Sequence, residues 1–159
     1  MKGKHMQHAS IRFARFAVVG LLVMASGLSS AMATDGLPST GLGQSWPNAT
    51  DVSASPRWHV YVFQRQGVRY IQVNDLNGKV HTAFAAAAGN FLGLPVGVDA
   101  AGLATPQEPL PVPASKKGEI VYQDAAVKVF VAPQADGSLR VFAASGDCTD
   151  PIECTSRIQ

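Results

Sequence analysis

The sequence is poor in charge and in cysteine. Asp, Glu, Lys and Arg make up 15% of its 159 residues, against about 25% in an average globular chain. With an apolar fraction of 47%, it is not a wholly disordered chain. Two cysteines, Cys148 and Cys154, are too few for a multi-disulfide miniprotein or a four-thiolate zinc site. The only adjacent basic pair is Lys116-Lys117, which reads as a solvated loop, whereas nucleic-acid binding needs clustered base on one face.

Catalytic signatures are also missing. There is no G-x-S-x-G elbow and no glycine-rich phosphate loop leading from a strand into a helix. Ser115-Lys116 is one adjacency, and a dyad is defined by geometry. The 11 acids fall in turns and tails, with no pair singled out to flank a glycoside. The expectation is a non-enzyme without cofactor or metal.

What is present first is an export signal. Lys2, Lys4, Arg12 and Arg15 form a basic start without acid, Phe16 to Leu28 is apolar, and Ala31-Met32-Ala33 is an A-x-A cleavage site. The 13-residue apolar run spans about 20 Å as helix, short of the roughly 30 Å of a bilayer core. No cysteine follows it for lipidation and no twin arginine precedes it. The reading is a general secretory signal peptide over 1–33, giving a periplasmic or secreted protein that starts at Thr34 and has no integral span. The mature chain keeps all 11 acids but only 9 of the 13 bases, so its net charge is −2 rather than +2.

Residues 34–56 are rich in Gly, Ser, Pro and Thr without helical or alternating period, which predicts a flexible, disordered N-terminal leader. A β domain follows over 57–147. Three β-rich runs, 57–65, 68–75 and 79–85, are separated by Gln66-Gly67 and by Asn77-Gly78, and predict an antiparallel meander. Two-residue loops at both turns set the register. Arg65 then faces Val68, Phe63 faces Tyr70, Tyr61 faces Gln72 and His59 faces Asn74. In the second hairpin Leu76 faces Lys79, Asn74 faces His81, Val73 faces Thr82 and Ile71 faces Phe84.

One face of this meander would carry Val60, Val62, Ile71, Val73, Val80 and Phe84, a core face. The other would carry His59, Tyr61, Phe63, Arg65, Tyr70, Gln72, Asn74 and His81. That aromatic-polar face is either buried under a loop or the Pro-rich segment, or it is a recognition surface for a sugar, peptide or protein. His59, Tyr61, Phe63, Arg65, Tyr70, Gln72 and His81 are the candidate ligand-binding residues. The two histidines stand about 9.6 Å apart across two strand spacings, and no third ligand accompanies them for zinc.

Ala85 to Gly89 reads as a strand end or helical turn, and Phe91 to Val98 as a short edge strand. Four prolines in 105–113 suit an extended connection between two halves. Runs 119–123, 126–132 and 138–144 form a second β set. Keeping Val127, Val129 and Val131 on Leu139, Val141 and Ala143 demands an odd loop with Gly137 at positive φ. The fold class is therefore all-β: a small antiparallel sandwich or partly open barrel of about six strands in two sets of three.

In an exported chain Cys148 and Cys154 are expected to be bridged, clipping a tail over 148–159. Asp147, Asp150 and Glu153 lack the D-x-[DN]-x-[DN]-G frame of a calcium loop. The functional expectation is a non-catalytic binding protein of the bacterial envelope, its partner a protein, peptide or glycan. The alternatives are a periplasmic inhibitor or immunity-type protein that plugs another enzyme, and, more distantly, a small envelope hydrolase.

Overall fold

The computed structural model describes residues 36–157; the predicted signal peptide 1–33 and its predicted cleavage site lie outside the described residues. The chain is all-β. Eight-residue strands β1 (Trp58–Arg65), β2 (Val68–Asp75) and β3 (Val80–Ala87) form the meander, and β4 (Asn90–Gly93) extends it, in the order β1-β2-β3-β4. A second sheet has the order β5-β9-β8-β7, from β5 (Leu103–Ala104), β7 (Glu119–Gln123), β8 (Lys128–Pro133) and β9 (Leu139–Ala144). All its pairs are antiparallel except β5 with β9. A parallel pair, β6 (Leu110–Pro111) with β10 (Ser156–Arg157), ties the Pro-rich run to the C-terminal tail.

The first hairpin forms in the expected register, from Arg65↔Val68 to His59↔Asn74. Its turn places Gln66 at φ 52 and Gly67 at φ 80, the two positive values that a two-residue type I′ loop requires.

The second hairpin departs from expectation. The Asp75 amide donates to the Lys79 carbonyl at 3.0 Å, and Gly78 donates back to Asp75 at 3.0 Å. The loop therefore has three residues, with Gly78 at φ 78. Asp75 Oδ1 selects it by accepting the amides of Asn77 and Lys79, each at 2.9 Å. The additional residue is absorbed in β3: Val73 faces Thr82, but Asn74 faces Val80, leaving His81 as the bulged residue. A bulge re-aims the side chain it carries.

The third hairpin turns on Ala88 at φ 49 and Gly89 at φ 77. Ala85 to Ala87 thus belong to β3 rather than to a helical turn. In the second sheet the loop between β8 and β9 is odd, as patterning demanded. Gln134 donates to Ser138 at 2.9 Å, Gly137 has φ 83, and Val131 faces Val141.

The two sheets pack face to face. Val60, Val62, Ile71, Val73, Phe84 and Phe91 from one meet Leu103, Val121, Val127, Val129, Val131, Leu139 and Val141 from the other. Each fully buried aliphatic side chain is worth about 1.5–3 kcal/mol of transfer free energy. The crossing between sheets is made by 94–102, so the Pro-rich run 105–113 loops out within the second half rather than joining the halves. Residues 51–54 close the other side of the sandwich. Val52 donates to Val60 of β1 at 2.9 Å and Ala54 donates to Val121 of β7 at 2.7 Å.

The outer face of the second sheet is covered by the tail. Ile152 packs with Ala104, Ala132 and Phe142 from a one-turn helix, α1 (Pro151–Thr155). Asp150 caps it by accepting the Ile152 amide at 2.9 Å, and Pro151 stands at its first position, where no amide donor is needed. Cys148 and Cys154 are bridged across this turn. Lys128, buried on the same face, donates from Nζ to the Cys148 carbonyl. Among the described residues no helix is long and apolar enough to cross a membrane.

Candidate functional site

The aromatic-polar face of the first sheet is covered. Tyr61, Phe63 and Gln72 are 5%, 2% and 0% exposed, and the chain over them is the segment 36–50, for which composition predicted a free leader. This arm has no strand of its own. Its irregular backbone is satisfied by side chains that rise from β2. Gln72 Oε1 accepts the Gly43 amide at 2.6 Å, and Gln72 Nε2 donates to the Gln44 carbonyl and to Asn74 Oδ1, both at 2.8 Å. Asn74 Nδ2 donates to the Ser45 carbonyl at 2.8 Å. Buried backbone polar groups need partners, and the two amides take the place of a neighbouring strand.

Trp46 anchors the arm's far end. Its ring stands edge-on to His59 at 5.3 Å and lies over Gly78, where an added Cβ would come within 2.6 Å of the indole. His59 Nδ1 meets Asp51 Oδ2 at 2.6 Å, and its ring stacks on Tyr61 at 6.2 Å. Partial burial pushes the Asp51 carboxyl up. Hydrogen bonds from His59 and the amides of Val60 and Ser53 outweigh this and leave it below its ordinary value. Burial, with the Asp51 charge nearby, raises the Tyr61 phenol.

Of the remaining candidates, Arg65 is exposed at the hairpin tip and Tyr70 is half-buried. His81 does not join them. The bulge carries it to the side of Trp58, whose ring it meets edge-on at 5.5 Å. Its Nδ1 lies 2.6 Å from Asp99 Oδ2, and its Nε2 lies 3.5 Å from Asp75 Oδ2. Asp99 also accepts the Leu139 amide at 3.1 Å, so this cluster ties the two sheets together. The two histidines therefore share no row and no face. Among the described residues no group of three or more His, Cys, Asp or Glu is arranged to hold a metal ion.

A second ion-paired link spans the sandwich. Arg69 Nη1 and the Tyr122 hydroxyl both donate to Asp124 Oδ2, the latter at 2.7 Å. Burial raises the Asp124 carboxyl, but these two donors and the amides of Ala126 and Val127 bring it down to about 2. Burial and the same hydrogen bond push Tyr122 up to about 12.

An open concavity lies elsewhere, where the start of β1 meets β7 and the β8–β9 loop. It has a volume of about 630 Å³ and is walled by Arg57, Trp58, Lys117, Glu119 and Gln134. Glu119 Oε1 gathers three donors: Arg57 Nη2 at 2.8 Å, Arg57 Nε at 2.9 Å and Trp58 Nε1 at 3.1 Å. The Arg57 hydrogen bond holds the Glu119 carboxyl below its ordinary value. Gln134 braces the far wall, accepting the Ser115 amide and donating to the Ser115 carbonyl, both at 3.1 Å. Sequence reading passed over these residues because Arg57 and Trp58 open a strand and Lys116-Lys117 reads as a plain loop. The one available signal was an indole beside an arginine at the strand's start. No protein-family model, curated protein or solved structure matches this chain, so the reading of this cleft rests on its own geometry.

Proposed function

We propose that the mature chain is an exported, non-catalytic β binding protein of the bacterial envelope, and that its ligand enters the cleft beside Trp58. The observation that carries this reading is the cleft's construction. An indole edge and a guanidinium converge on one oxygen of a carboxylate, with a lysine on the same lining and Gln134 bracing the far wall. Aromatic and arginine side chains at a concavity are the usual anchors of recognition. An engaged Glu119 orients Arg57 and Trp58 rather than exchanging protons. The candidate face of Tyr61, Phe63 and Gln72 serves the chain's own arm in this reading, and only its rim, Arg65 and Tyr70, remains open to solvent. The ligand class is a peptide, protein or glycan that offers acceptors to Arg57 and Lys117.

The chain has two tryptophans, so Trp46→Phe leaves Trp58 as the only indole reporter. Titrating that variant with soluble envelope oligosaccharides and peptides should move the Trp58 emission. Arg57→Ala should weaken the response at least tenfold, the scale of an interface anchor. A ligand found by other means that leaves Trp58 emission unchanged and binds Arg57→Ala equally well overturns the assignment. Export is tested separately: the protein recovered outside the cytoplasm should begin at Thr34.

A further inference from the structure

The two edges of the first sheet are finished differently. β1 is covered by main chain: Val52 donates to Val60, and Gln64 donates to Pro38, both at 2.9 Å. β4 is not. Its outward amides, Phe91 and Gly93, are taken by two exposed side chains, Gln107 Oε1 and Glu108 Oε2, each at 3.1 Å. These oxygens stand on alternate residues of an edge strand, where the carbonyls of an added strand would stand. A turn holds them in place, with the Thr105 amide on the Glu108 carbonyl at 3.2 Å and the Glu108 amide on Thr105 Oγ1 at 2.9 Å.

Beside this edge, between β4 and β5, runs a slot of about 540 Å³ walled by Leu94, Pro95, Leu103 and Leu110, with Glu108 and Arg157 among its lining residues. Leu92, 58% exposed, continues the apolar surface of the strand.

We propose that the β4 edge is a strand-addition site for an extended peptide, and that Gln107 and Glu108 are placeholders which such a peptide displaces. The carbonyls of the incoming strand accept the amides of Phe91 and Gly93, and its amides donate to the carbonyls of the same residues. Apolar side chains at alternate positions enter the slot. The charges lining the slot are of opposite sign, which selects a peptide carrying both a cation for the released Glu108 carboxylate and an anion for Arg157. This site is separate from the Trp58 cleft, and neither proposal depends on the other.

The probe is acetyl-Lys-Thr-Val-Thr-Glu-amide, added to the isotope-labelled mature chain and followed by amide chemical shifts. Phe91 and Gly93 should move, together with Leu92 and Leu103, while Trp58 emission stays constant. The variant Gln107→Ala, which keeps the Glu108 carboxylate for the peptide's cation, should bind about fivefold more tightly, because one hydrogen bond no longer has to be broken first. The same peptide N-methylated at alternate amides should not bind. The proposal is overturned if Phe91 and Gly93 do not shift, if the N-methylated peptide binds equally well, or if removing the Gln107 placeholder leaves affinity unchanged.

Discussion

Gln72→Leu is the most informative single substitution, because it removes the arm's support without changing the volume of the sheet's outer layer much. Gln72 is fully buried and makes three hydrogen bonds, one from Gly43, one to Gln44 and one to Asn74. Two of these reach the arm; at about 1 kcal/mol net for each, it loses about 2 kcal/mol of docking free energy. The cost stops there. Once the arm lifts, the orphaned Gly43 amide and Gln44 carbonyl find water, so the sandwich core is not asked to bear it. The expected signature is local: hydrogen exchange of residues 36–50 accelerates by about thirtyfold, since 1.4 kcal/mol is a factor of ten. The amides of Val129 and Val141, deep in the second sheet, should keep their protection. Unchanged exchange over 36–50 would refute the reasoning that these amides hold the arm. Equal acceleration in both sheets would show instead that arm and sandwich unfold as one unit.

Other outcomes follow from the same packing. Tyr61→Ala and Val62→Ala should both destabilise, by about 2–4 and 1–3 kcal/mol in thermal or chemical denaturation. Each buries its side chain almost fully, and a Tyr61→Ala variant as stable as the parent would contradict burial of the aromatic face. Asp124 is held near 2, below its ordinary 3.8. Its contribution is therefore complete above about pH 4 and lost as pH falls toward 2. Arg69 and Asp124 are 24% and 30% exposed, so screening trims the gain to about 1 kcal/mol, and denaturation of Asp124→Asn between pH 5 and 2.5 should show a correspondingly shallower acid loss. Cys148→Ala should cost about 2 kcal/mol for so short a loop, and its exchange should quicken around Ile152 rather than in the first sheet.

How much of this was legible depends on where the hydrogen bonds go. The β1–β2 register was readable because Gln66-Gly67 admits one tight loop and a slip would have mixed Val60, Val62, Ile71 and Val73 between faces. The loop of β8 and β9 was readable for the same reason, from Val on Val. Asn77-Gly78 was misleading because the deciding group is the Asp75 carboxylate, which binds the amides of Asn77 and Lys79 and lengthens the loop by one residue. That residue returns as the bulge, and with it His81 leaves the row of His59. Ala88 concealed the third hairpin, since a non-glycine residue at φ 49 is seldom assigned to such a turn. The arm's coverage was hidden more deeply. The sequence left open whether the face of Gln72 and Asn74 is covered, because the backbone that these buried amides serve has no period to detect. The Trp58 cleft is assembled from residues about sixty positions apart, and no local pattern announces it.

The placement of both chain ends on the outer faces of the sandwich has a kinetic consequence. Neither the arm on the first sheet nor the bridged tail on the second can find its surface until the sheet beneath it exists. The meander β1–β4 closes through loops of two or three residues and pays little entropy to do so, so it is the natural early unit. The arm, although it precedes both sheets in the sequence and is synthesised before them, docks late. Substitutions that remove the arm's support, such as Gln72→Leu in β2, should then leave the refolding rate of the sandwich nearly unaltered. The segment synthesised before either sheet is thereby the last to settle.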